Sequence, residues 1–285
     1  MSMGNPLTEK PTIVVIAGPT AAGKSAVALD LARREHGTII NADASQLYAD
    51  LLILTARPSP ADEAAVPHLL YGVLDGADAC DAARWAALAR AAIAETLAEG
   101  RLPIVTGGSG LYLRALIAGI ADVPPIDPAV RTAVRAMTPT AARIALAAAD
   151  PEATVADPQR VARALEVILA TGRPLRAWQA AATGGIAADH ALRTTIVDLP
   201  RAELHQRIEA RLAAMVAAGV EAEVAALVAR GLPADAPVMR AIGVGPLRDA
   251  ASGRITLAAA IAQTAAATRR YAKRQQTWFR NQPNF

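Results

Sequence analysis

The stretch that decides the fold is IVVIAGPTAAGKSAVALDLA, residues 13–32. A run of β-branched and apolar residues ends in a glycine-containing loop, and an amphipathic sequence follows, which predicts a strand, a loop and a helix. The loop, Gly18 to Ser25, matches G-x-x-x-x-G-K-[ST] in full. Backbone N–H groups of such a loop converge on an anion, Lys24 adds positive charge, and Ser25 can ligate Mg²⁺. The sequence therefore predicts a phosphate-binding loop.

The same alternation of strand and helix continues to about residue 116. Helices are predicted for Lys24–Glu35, with Gly37 as the stop, and for residues 83–100. Two further apolar runs, GTIINAD (37–43) and LPIVTGG (102–108), predict strands. This order is typical of a parallel sheet covered by helices.

The pattern changes after residue 120. Residues 121–191 predict helices and turns without strands, and LRTTIVDLP (192–200) predicts a further strand. We therefore expect an α/β fold: a P-loop NTPase-like parallel sheet flanked by helices, with an all-helical insertion domain. The expected core is 11–120 and 192–285, which includes the C-terminal helices, and the insertion is 121–191.

Composition excludes several classes. The chain is 53% hydrophobic but only 3% aromatic, because alanine supplies much of the apolar count. No apolar run reaches the roughly 18 to 20 residues of a membrane span, and MSMGNPLTEK (1–10) lacks the features of a signal peptide. We expect a cytoplasmic protein that does not bind membranes. The single Cys80 is predicted to be a small buried hydrophobic residue.

Positive charge is concentrated at the C-terminal end, although the net charge is only +3. No acidic residue follows Asp249. The segment ATRRYAKRQQTWFRNQ (267–282) interleaves cations with Tyr271 and Trp278, which favours looped or single-stranded RNA as a partner. A solvated helix face with the aromatic residues packed on the core is the alternative. The cations assigned to RNA binding are Arg270, Lys273 and Arg274.

Two polar residues follow predicted strands. Asp43 ends the second strand, at the sheet edge that carries the phosphate loop, where it can act as a general base, as a partner of magnesium or as a turn cap. An ATP-hydrolysing or kinase site would require an Asp at the end of the strand LPIVTGG, and no Asp is there.

Ser109 presents a hydroxyl from the following loop. It is not the nucleophile of a serine hydrolase, because Leu111 replaces the last glycine of G-x-S-x-G.

The helix RAELHQRIEARLAAMVAAG (201–219) carries an arginine on its apolar face. Leu204, Ile208, Leu212 and Met215 form that face at about 100° per residue, and Arg211 falls inside it. Arg207 lies at its edge. A guanidinium directed inward requires an anion, either an internal carboxylate or a bound diphosphate, and the phosphate loop favours the diphosphate.

From Thr12 to about Arg280 the sequence resembles the tRNA dimethylallyltransferase (tRNA isopentenyltransferase) family. The resemblance rests on ordered motifs: GPTAAGKS, NADASQLY, TARP, VPH, GGSGLYLRAL, DPQRVARALEV, TGRPL, RAELHQRIEAR, MRAIG and YAKRQQTWFR. It implies a P-loop core with a helical insertion. It also implies that the loop holds dimethylallyl diphosphate, with Mg²⁺, and that the anticodon stem-loop of tRNA supplies a flipped adenosine.

The resemblance implies a role for each matching residue. Asp43 would orient the adenosine amine and take its proton, and Lys24, Ser109 and Arg211 would complete the catalytic group. Ser25 would be the metal ligand. The diphosphate would contact Gly18, Thr20, Ala21, Ala22, Gly23, Lys24, Ser25, Arg207 and Arg211. The tRNA would contact Asp43, Gln46, Ser109, Arg131, Gln159, Arg160, Arg163 and Arg240, together with the C-terminal cations.

The implied reaction transfers a dimethylallyl group to N6 of the adenosine 3′ of the anticodon, in tRNAs that read codons starting with U. We expect a monomer. Three alternatives stay open: an AMP or ADP isopentenyltransferase, an ATP-dependent small-molecule kinase, and a non-catalytic or weakened tRNA-binding relative. The alternative of a non-catalytic or weakened relative arises because Ala44 and Ala49 replace the serine and the basic residue that the family usually has at these two positions.

Overall fold

The structure, a computed structural model, describes residues 10–282. Residues 1–9, most of the segment that we predicted not to be a signal peptide, lie outside the described part. The described residues form two compact units. One unit is built from residues up to Ile117 and from Ile186 onward, and the other is Ala118–Gly185.

The first unit contains a parallel sheet with the strand order β3-β2-β4-β1-β5. Ile16 on β1, which lies between β4 and β5, pairs with Thr106 on one side and with Thr195 on the other. The strands β1 and β2 are buried along almost their whole length, which explains their continuous runs of Val and Ile. The predicted parallel sheet flanked by helices is confirmed. Its strands are β1 (Thr12–Ala17), β2 (Gly37–Asn41), β3 (His68–Leu69), β4 (Leu102–Gly107) and β5 (Ala191–Ile196).

The helices account for the remaining regular structure. Before the second unit they are α1 (Lys24–Arg34), α2 (Pro60–Ala65), α3 (Ala82–Ala98) and α4 (Gly110–Ala118). The second unit contains α5 (Pro128–Ala136), α6 (Pro139–Ala149), α7 (Pro158–Thr171) and α8 (Leu175–Ala180). The chain then forms α9 (Arg201–Ala217), α10 (Val220–Ala229), α11 (Val244–Ala251) and α12 (Leu257–Arg280). Short 3₁₀ helices are Ala44–Leu47, Ile186–Ala188 and Pro237–Arg240.

The prediction that Gly37 stops the first helix is wrong. Helix α1 ends at Arg34, Glu35 caps it, and His36 adopts the left-handed conformation with a φ of 51°. Gly37 is instead the first residue of β2. A Cβ there would lie 2.6 Å from Ile104 Cδ1, so glycine is required because two parallel strands and a helix approach closely.

The second unit is helical within its described residues. Its core is formed by residues of α5, α6 and α7, among them Val134, Leu146 and Leu165. A single antiparallel bridge joins Ile120 to Thr183, close to where the unit begins and ends. The unit begins and ends a few residues earlier than the insertion domain of 121–191 that we expected from the sequence.

No helix within residues 10–282 is long and apolar enough by itself to cross a membrane. Helices α9 and α10 meet that criterion only when taken together, and they are bent by 69° at the break between them.

Helix α12 packs against the loop between β4 and α4, and glycines make this contact possible. A Cβ on Gly108 would lie 2.1 Å from Gln275 Nε2, and a Cβ on Gly110 would lie 2.4 Å from the Trp278 ring. Gln275 is buried, and its amide nitrogen donates to Gly108 O at 2.8 Å. The GGSG sequence is therefore explained by helix packing, because any side chain at these positions would displace α12.

We expect Gly110→Ala to destabilise the fold by about 1–3 kcal/mol, because the added methyl group overlaps the Trp278 ring. Gly245→Ala is the matched control. Gly245 also lies in a helix, and its Cβ would meet no atom within 4 Å, so this variant should be about 0.4–1 kcal/mol more stable than the wild type. Urea unfolding of the three proteins measures both values. Equal effects of the two substitutions would contradict the packing argument.

Candidate functional site

The loop after β1 has the backbone of an anion-binding site. Gly18 has a φ of 145°, and a Cβ there would lie 2.1 Å from Val197 O on the neighbouring chain segment. Ala21 and Gly23 also have positive φ values, 63° and 99°. No side chain caps the N-terminus of α1, which begins at Lys24. The amide groups of this helix end are therefore free to bind an anion.

Lys24 lies at the bottom of this loop. Its ammonium group donates to Pro19 O at 2.8 Å. Burial lowers the pKa of Lys24 to about 8, the nearby Asp43 carboxylate raises it, and Arg211 lowers it further. A buried cation of this kind is stabilised by any anion that binds next to it.

Arg211 projects from α9 towards the same place. Its guanidinium donates to Thr55 O at 3.0 Å and to Thr20 Oγ1 at 3.4 Å. Burial lowers its pKa and the Asp43 carboxylate opposes that effect, yet Arg211 forms no ion pair with any described residue. Asp43 therefore acts on Arg211 from a distance without forming an ion pair with it, and the guanidinium can still bind an external anion.

Arg207 and Ser25 lie at the outer side of the loop. Arg207 contacts Ala22 O at 3.5 Å and forms a salt bridge of 2.8 Å with Glu203 on its own helix. Ser25 is exposed in the first turn of α1 and lines the same cavity as Lys24. Both residues therefore line the cavity next to the phosphate loop.

Asp43 follows β2 and caps the 3₁₀ helix Ala44–Leu47. Its Oδ1 accepts hydrogen bonds from the Ser45 amide at 3.0 Å and from the Ser45 hydroxyl at 2.7 Å. Asn41 holds the Asp43 backbone through hydrogen bonds of 2.7 and 3.0 Å. The second carboxylate oxygen, Oδ2, has no hydrogen-bond partner among the described residues. Asp43 is therefore a turn cap with one oxygen still available to a ligand.

Ser109 connects three parts of the site. Its hydroxyl accepts a hydrogen bond of 3.0 Å from the Ala44 amide and is also hydrogen-bonded to Tyr271 of α12. Burial raises the pKa of Tyr271, so the phenol stays protonated. The loss of the family's serine at position 44 is thus accompanied by two other hydroxyls near Asp43, those of Ser45 and Ser109.

Two adjoining cavities meet at these residues. The P-loop cavity has a volume of about 350 Å³ and the α9 cavity about 300 Å³. Both are lined by Thr20, Ala21, Asp43, Thr55 and Arg211. The P-loop cavity additionally contains Gly23, Lys24, Ser25, Gln46, Tyr71, Thr106, Gly107 and Arg207, with Ala56.

The α9 cavity is mainly apolar on the side away from the loop. Its apolar wall is formed by Leu54, Ile208, Leu212, Met215, Val238 and Ile242. Its other wall contains Tyr48, Tyr112, Tyr271 and Cys80. The prediction that Cys80 is buried is therefore wrong: the side chain is half-buried, and it lies in a cavity wall because Tyr112 holds its carbonyl at 3.0 Å.

The predicted tRNA residues lie in several places. Gln46 lines the P-loop cavity, but its amide nitrogen already donates to Thr55 O and Ala56 O at 2.9 Å. Arg240 is exposed at the α9 cavity. Arg274 lies over the Tyr271 ring, 5.6 Å from its centroid.

Arg270 and Lys273 line a groove between α9 and α12. This basic groove has a volume of about 580 Å³, and its cationic side chains are Arg201, Arg269, Arg270, Lys273 and Arg280. Arg269 pairs with Glu209 and Arg280 with Asp198, whereas the other three make no ion pair with described residues. The groove therefore presents unneutralised positive charge. Trp278 packs against Gly110 and Phe279, as the alternative of core packing predicted.

The other predicted residues are on the surface of the second unit. Arg131 is exposed on α5, and Gln159, Arg160 and Arg163 are exposed on α7. Arg163 lies 3.8 Å from the buried carboxylate of Glu166, which Arg135 also contacts at 3.1 Å. Arg160 makes no ion pair with described residues.

The sequence did not reveal three residues that shape the site. Gln275 accepts a hydrogen bond of 2.8 Å from the Thr20 amide, Thr55 supplies the carbonyl that holds Arg211, and Tyr71 is half-buried near Asp43. Thr55 lies in the TARP motif and Gln275 lies in YAKRQQTWFR. Both motifs carry the family resemblance, but the sequence did not predict the hydrogen bonds that these two residues make.

Family models match nearly the whole described chain. The model described as IPP transferase matches residues 46–282, and the one described as Isopentenyl transferase matches residues 11–71.

Two relatives that match over most of their length have the same name. The tRNA dimethylallyltransferase of Sphingopyxis alaskensis is 53% identical over 276 residues, which cover 95% of this chain and 90% of the relative. The tRNA dimethylallyltransferase of Rhodospirillum rubrum is 50% identical over 278 residues, covering 95% and 85% respectively.

Solved structures are also similar. The full-length tRNA isopentenylpyrophosphate transferase of Bacillus halodurans has a TM-score of 0.70 and 33% identity, and the match covers 97% of this chain and 88% of that one. A eukaryotic dimethylallyltransferase acting on tRNA has a TM-score of 0.80 and 24% identity, covering 94% and 70%. At that identity the second match supports the fold alone.

The buried Lys24 makes anion binding dependent on pH. An anion such as pyrophosphate, if bound beside Lys24, would favour the protonated ammonium, so its affinity should be lost as the pH rises through about 8 and should fall about tenfold between pH 7 and pH 9. Calorimetric titration with inorganic pyrophosphate at several pH values measures this dependence.

Lys24→Arg is the matched control, because a guanidinium does not titrate in this range. Its affinity should follow only the ionisation of pyrophosphate itself. If the wild type and Lys24→Arg respond identically to pH, Lys24 is not the titrating group.

Proposed function

This chain belongs to the IPP transferase family of tRNA dimethylallyltransferases, and we propose the substrates and residue roles by which it acts. It is a prenyltransferase that modifies tRNA. We propose that the donor is dimethylallyl diphosphate. The acceptor is N6 of the adenosine 3′ of the anticodon, in tRNAs that read codons starting with U, and pyrophosphate is released. The observation that carries the proposal is that the P-loop cavity and the α9 cavity meet at Asp43 and Arg211.

The P-loop cavity is the proposed diphosphate site. The amides at the start of α1, the Lys24 ammonium and the Arg211 guanidinium all face it, and Arg207 lies at its edge. These groups stabilise the negative charge that grows on the leaving diphosphate. Because Arg211 forms no ion pair with a described residue, a bound diphosphate would compensate its partly desolvated charge.

The donor set fits Mg²⁺. Ser25 offers a hydroxyl at the cavity, and the described residues contain no group of three or more His, Cys, Asp or Glu side chains that could hold a metal ion alone. Mg²⁺ commonly uses few protein ligands and completes its shell with phosphate oxygens and waters. When bound, it would supply additional positive charge to the leaving group.

The α9 cavity is the proposed place where the dimethylallyl group meets the adenine. Its apolar wall excludes water from the allylic carbon, and burial of five carbons is worth about 4 kcal/mol at about 0.8 kcal/mol per CH₂. Asp43 lies where the two cavities join, with Oδ2 directed to no protein donor in the described part of the chain. A carboxylate oxygen there is suited to accept a proton from an exocyclic amine.

The proposed step is a displacement. The lone pair of adenosine N6 forms a bond to C1 of the dimethylallyl group, and the bond between C1 and the diphosphate oxygen breaks. The electron pair of that bond leaves with pyrophosphate. The proton lost from N6 passes to Asp43 Oδ2, while Ser45 holds Oδ1 and so fixes the orientation of the carboxylate.

We propose two basic surfaces for tRNA. One is the basic groove of α9 and α12, where Arg270 and Lys273 make no ion pair with described residues. The other is the exposed face of α7 and α5, with Gln159, Arg160, Arg163 and Arg131. Phosphate groups bind such cations without regard to sequence, and the salt dependence of binding reports their number.

Further proposals concern the acceptor, the oligomeric state and the cellular location of the protein. Relatives of about 50% identity are named for tRNA, which favours tRNA over AMP or ADP as the acceptor and disfavours a kinase. We propose a monomer. A tRNA substrate is consistent with the cytoplasmic location expected from the sequence.

We expect Asp43→Asn to reduce the rate of dimethylallyl transfer to tRNA by about 10²- to 10⁴-fold, the usual contribution of a general base. An asparagine oxygen can still accept the hydrogen bonds from Ser45, so binding of tRNA and pyrophosphate should persist. Single-turnover transfer of a labelled dimethylallyl group measures the rate. Asp30→Asn removes an exposed carboxylate of α1 and should leave the rate unchanged; a similar rate in Asp43→Asn would refute the role of base.

The double variant Arg270→Gln/Lys273→Gln should weaken tRNA binding and reduce the slope of log affinity against log salt by about 1.4–1.8, or about 0.7–0.9 per cation. Fluorescence anisotropy with an anticodon stem-loop at several salt concentrations measures it. Arg34→Gln/Arg254→Gln removes the same charge from cations that form ion pairs elsewhere, and should not change the slope. Equal slopes in the two double variants would remove the groove from the tRNA interface.

A further inference from the structure

Glu223 makes an unusual set of contacts outside the two cavities. It lies in the first turn of α10, and its Oε1 accepts hydrogen bonds of 2.7 Å from the amides of both Leu52 and Ile53. Its Oε2 accepts a hydrogen bond of 2.8 Å from the next amide, Leu54. One carboxylate therefore binds three consecutive backbone N–H groups, about 170 residues away in the sequence.

The segment that Glu223 holds carries the carbonyl groups of the site. Thr55 follows directly, and its carbonyl oxygen accepts hydrogen bonds from Arg211 Nη2 at 3.0 Å and from Gln46 Nε2 at 2.9 Å. The side chains of Leu54 and Thr55 line the α9 cavity. A shift of this segment would therefore move the guanidinium of Arg211.

The local structure of residues 52–55 explains why this segment needs support from Glu223. The segment is a turn outside any strand, so a sheet does not fix its amides, and hydrogen bonds to a carboxylate are roughly twice as strong as neutral ones. The three amides satisfy the Glu223 carboxylate, and the N-terminus of α10 favours its negative charge. Arg211 is held in the described chain only by neutral acceptors, so the position of the Thr55 carbonyl decides where its charge points.

We propose that Glu223 is a positioning residue for the diphosphate site: it fixes residues 52–55 and thereby holds Arg211 against the diphosphate. This inference rests on the proposed function, since it takes the P-loop cavity to be the diphosphate site. Glu223 itself touches no substrate, and it acts through the backbone of Thr55.

The first test is the affinity for inorganic pyrophosphate, measured by calorimetry well below the unfolding temperature of each variant. Glu223→Gln keeps one oxygen for two amides but turns an NH₂ group towards the Leu54 amide, so affinity should fall about tenfold. Glu223→Ala should lose more. Glu221→Gln is the control, because Glu221 lies exposed in the same helical turn and makes no hydrogen bond with described residues, and it should bind as the wild type does.

The second test separates positioning from general stability. If Glu223 acts through Arg211, then Arg211→Ala already removes its effect, and Glu223→Ala/Arg211→Ala should bind pyrophosphate no more weakly than Arg211→Ala. Urea unfolding of the same variants measures the loss of stability separately. Independent, additive losses of pyrophosphate affinity would overturn the proposal and leave Glu223 a purely structural residue.

The outcomes also distinguish this inference from the proposed function. If the wild type and Arg211→Ala differ in affinity while the Glu223 variants bind like the wild type, only the role of Glu223 fails. If the wild type does not bind pyrophosphate at all, the diphosphate site and the role of Glu223 are both refuted.

Discussion

The site depends on one buried side-chain amide. Gln275 of α12 accepts a hydrogen bond from the Thr20 amide and donates one to Gly108 O, each at 2.8 Å, and so joins the loop after β1 to the loop after β4. A buried amide satisfied at both ends has one favourable position, because any shift leaves a polar group without a partner. The C-terminal helix therefore borders the candidate site. It brings Tyr271, one helical turn earlier, to Ser109 and into the α9 cavity.

Without a ligand, the site has more positive than negative charge, which favours the binding of an anion. Lys24 and Arg211 are both half-buried, desolvation lowers the pKa of each, and Asp43 is the carboxylate that acts on both. Holding two cations near one carboxylate costs free energy of folding. In the proposed function, a bound diphosphate would offset this cost. The same positive charge would then stabilise the leaving group.

The sequence predicted those features that depend on local pattern. The glycine loop, the buried strands and the apolar face of α9, with Arg211 inside it, follow from residue spacing, and the structure contains them. Contacts between distant residues could not be read from spacing. Gln275 and Thr20 are 255 residues apart, and Glu223 is 170 residues from Ile53. The end of α1 was misplaced for a related reason: Gly37 resembles a helix stop, but it is required by the approach of Ile104 from another strand.

Packing at the sheet edge explains why the site has no carboxylate at the end of β4, where an ATP-dependent enzyme would usually have one. Gly107 ends that strand, and a Cβ there would lie 2.1 Å from Ala42 O and 2.2 Å from the carbonyl carbon. No side chain fits, because the chain leaving β2 crosses directly against it. The carboxylate is instead one residue after Ala42, at Asp43, where it faces both the P-loop cavity and the α9 cavity. In the proposed function, a carboxylate at this position would reach an acceptor that enters from the apolar side. The close contact between Ala42 and Gly107 thus accounts for the absence of a carboxylate at the end of β4, and Asp43 supplies the carboxylate that lines both cavities.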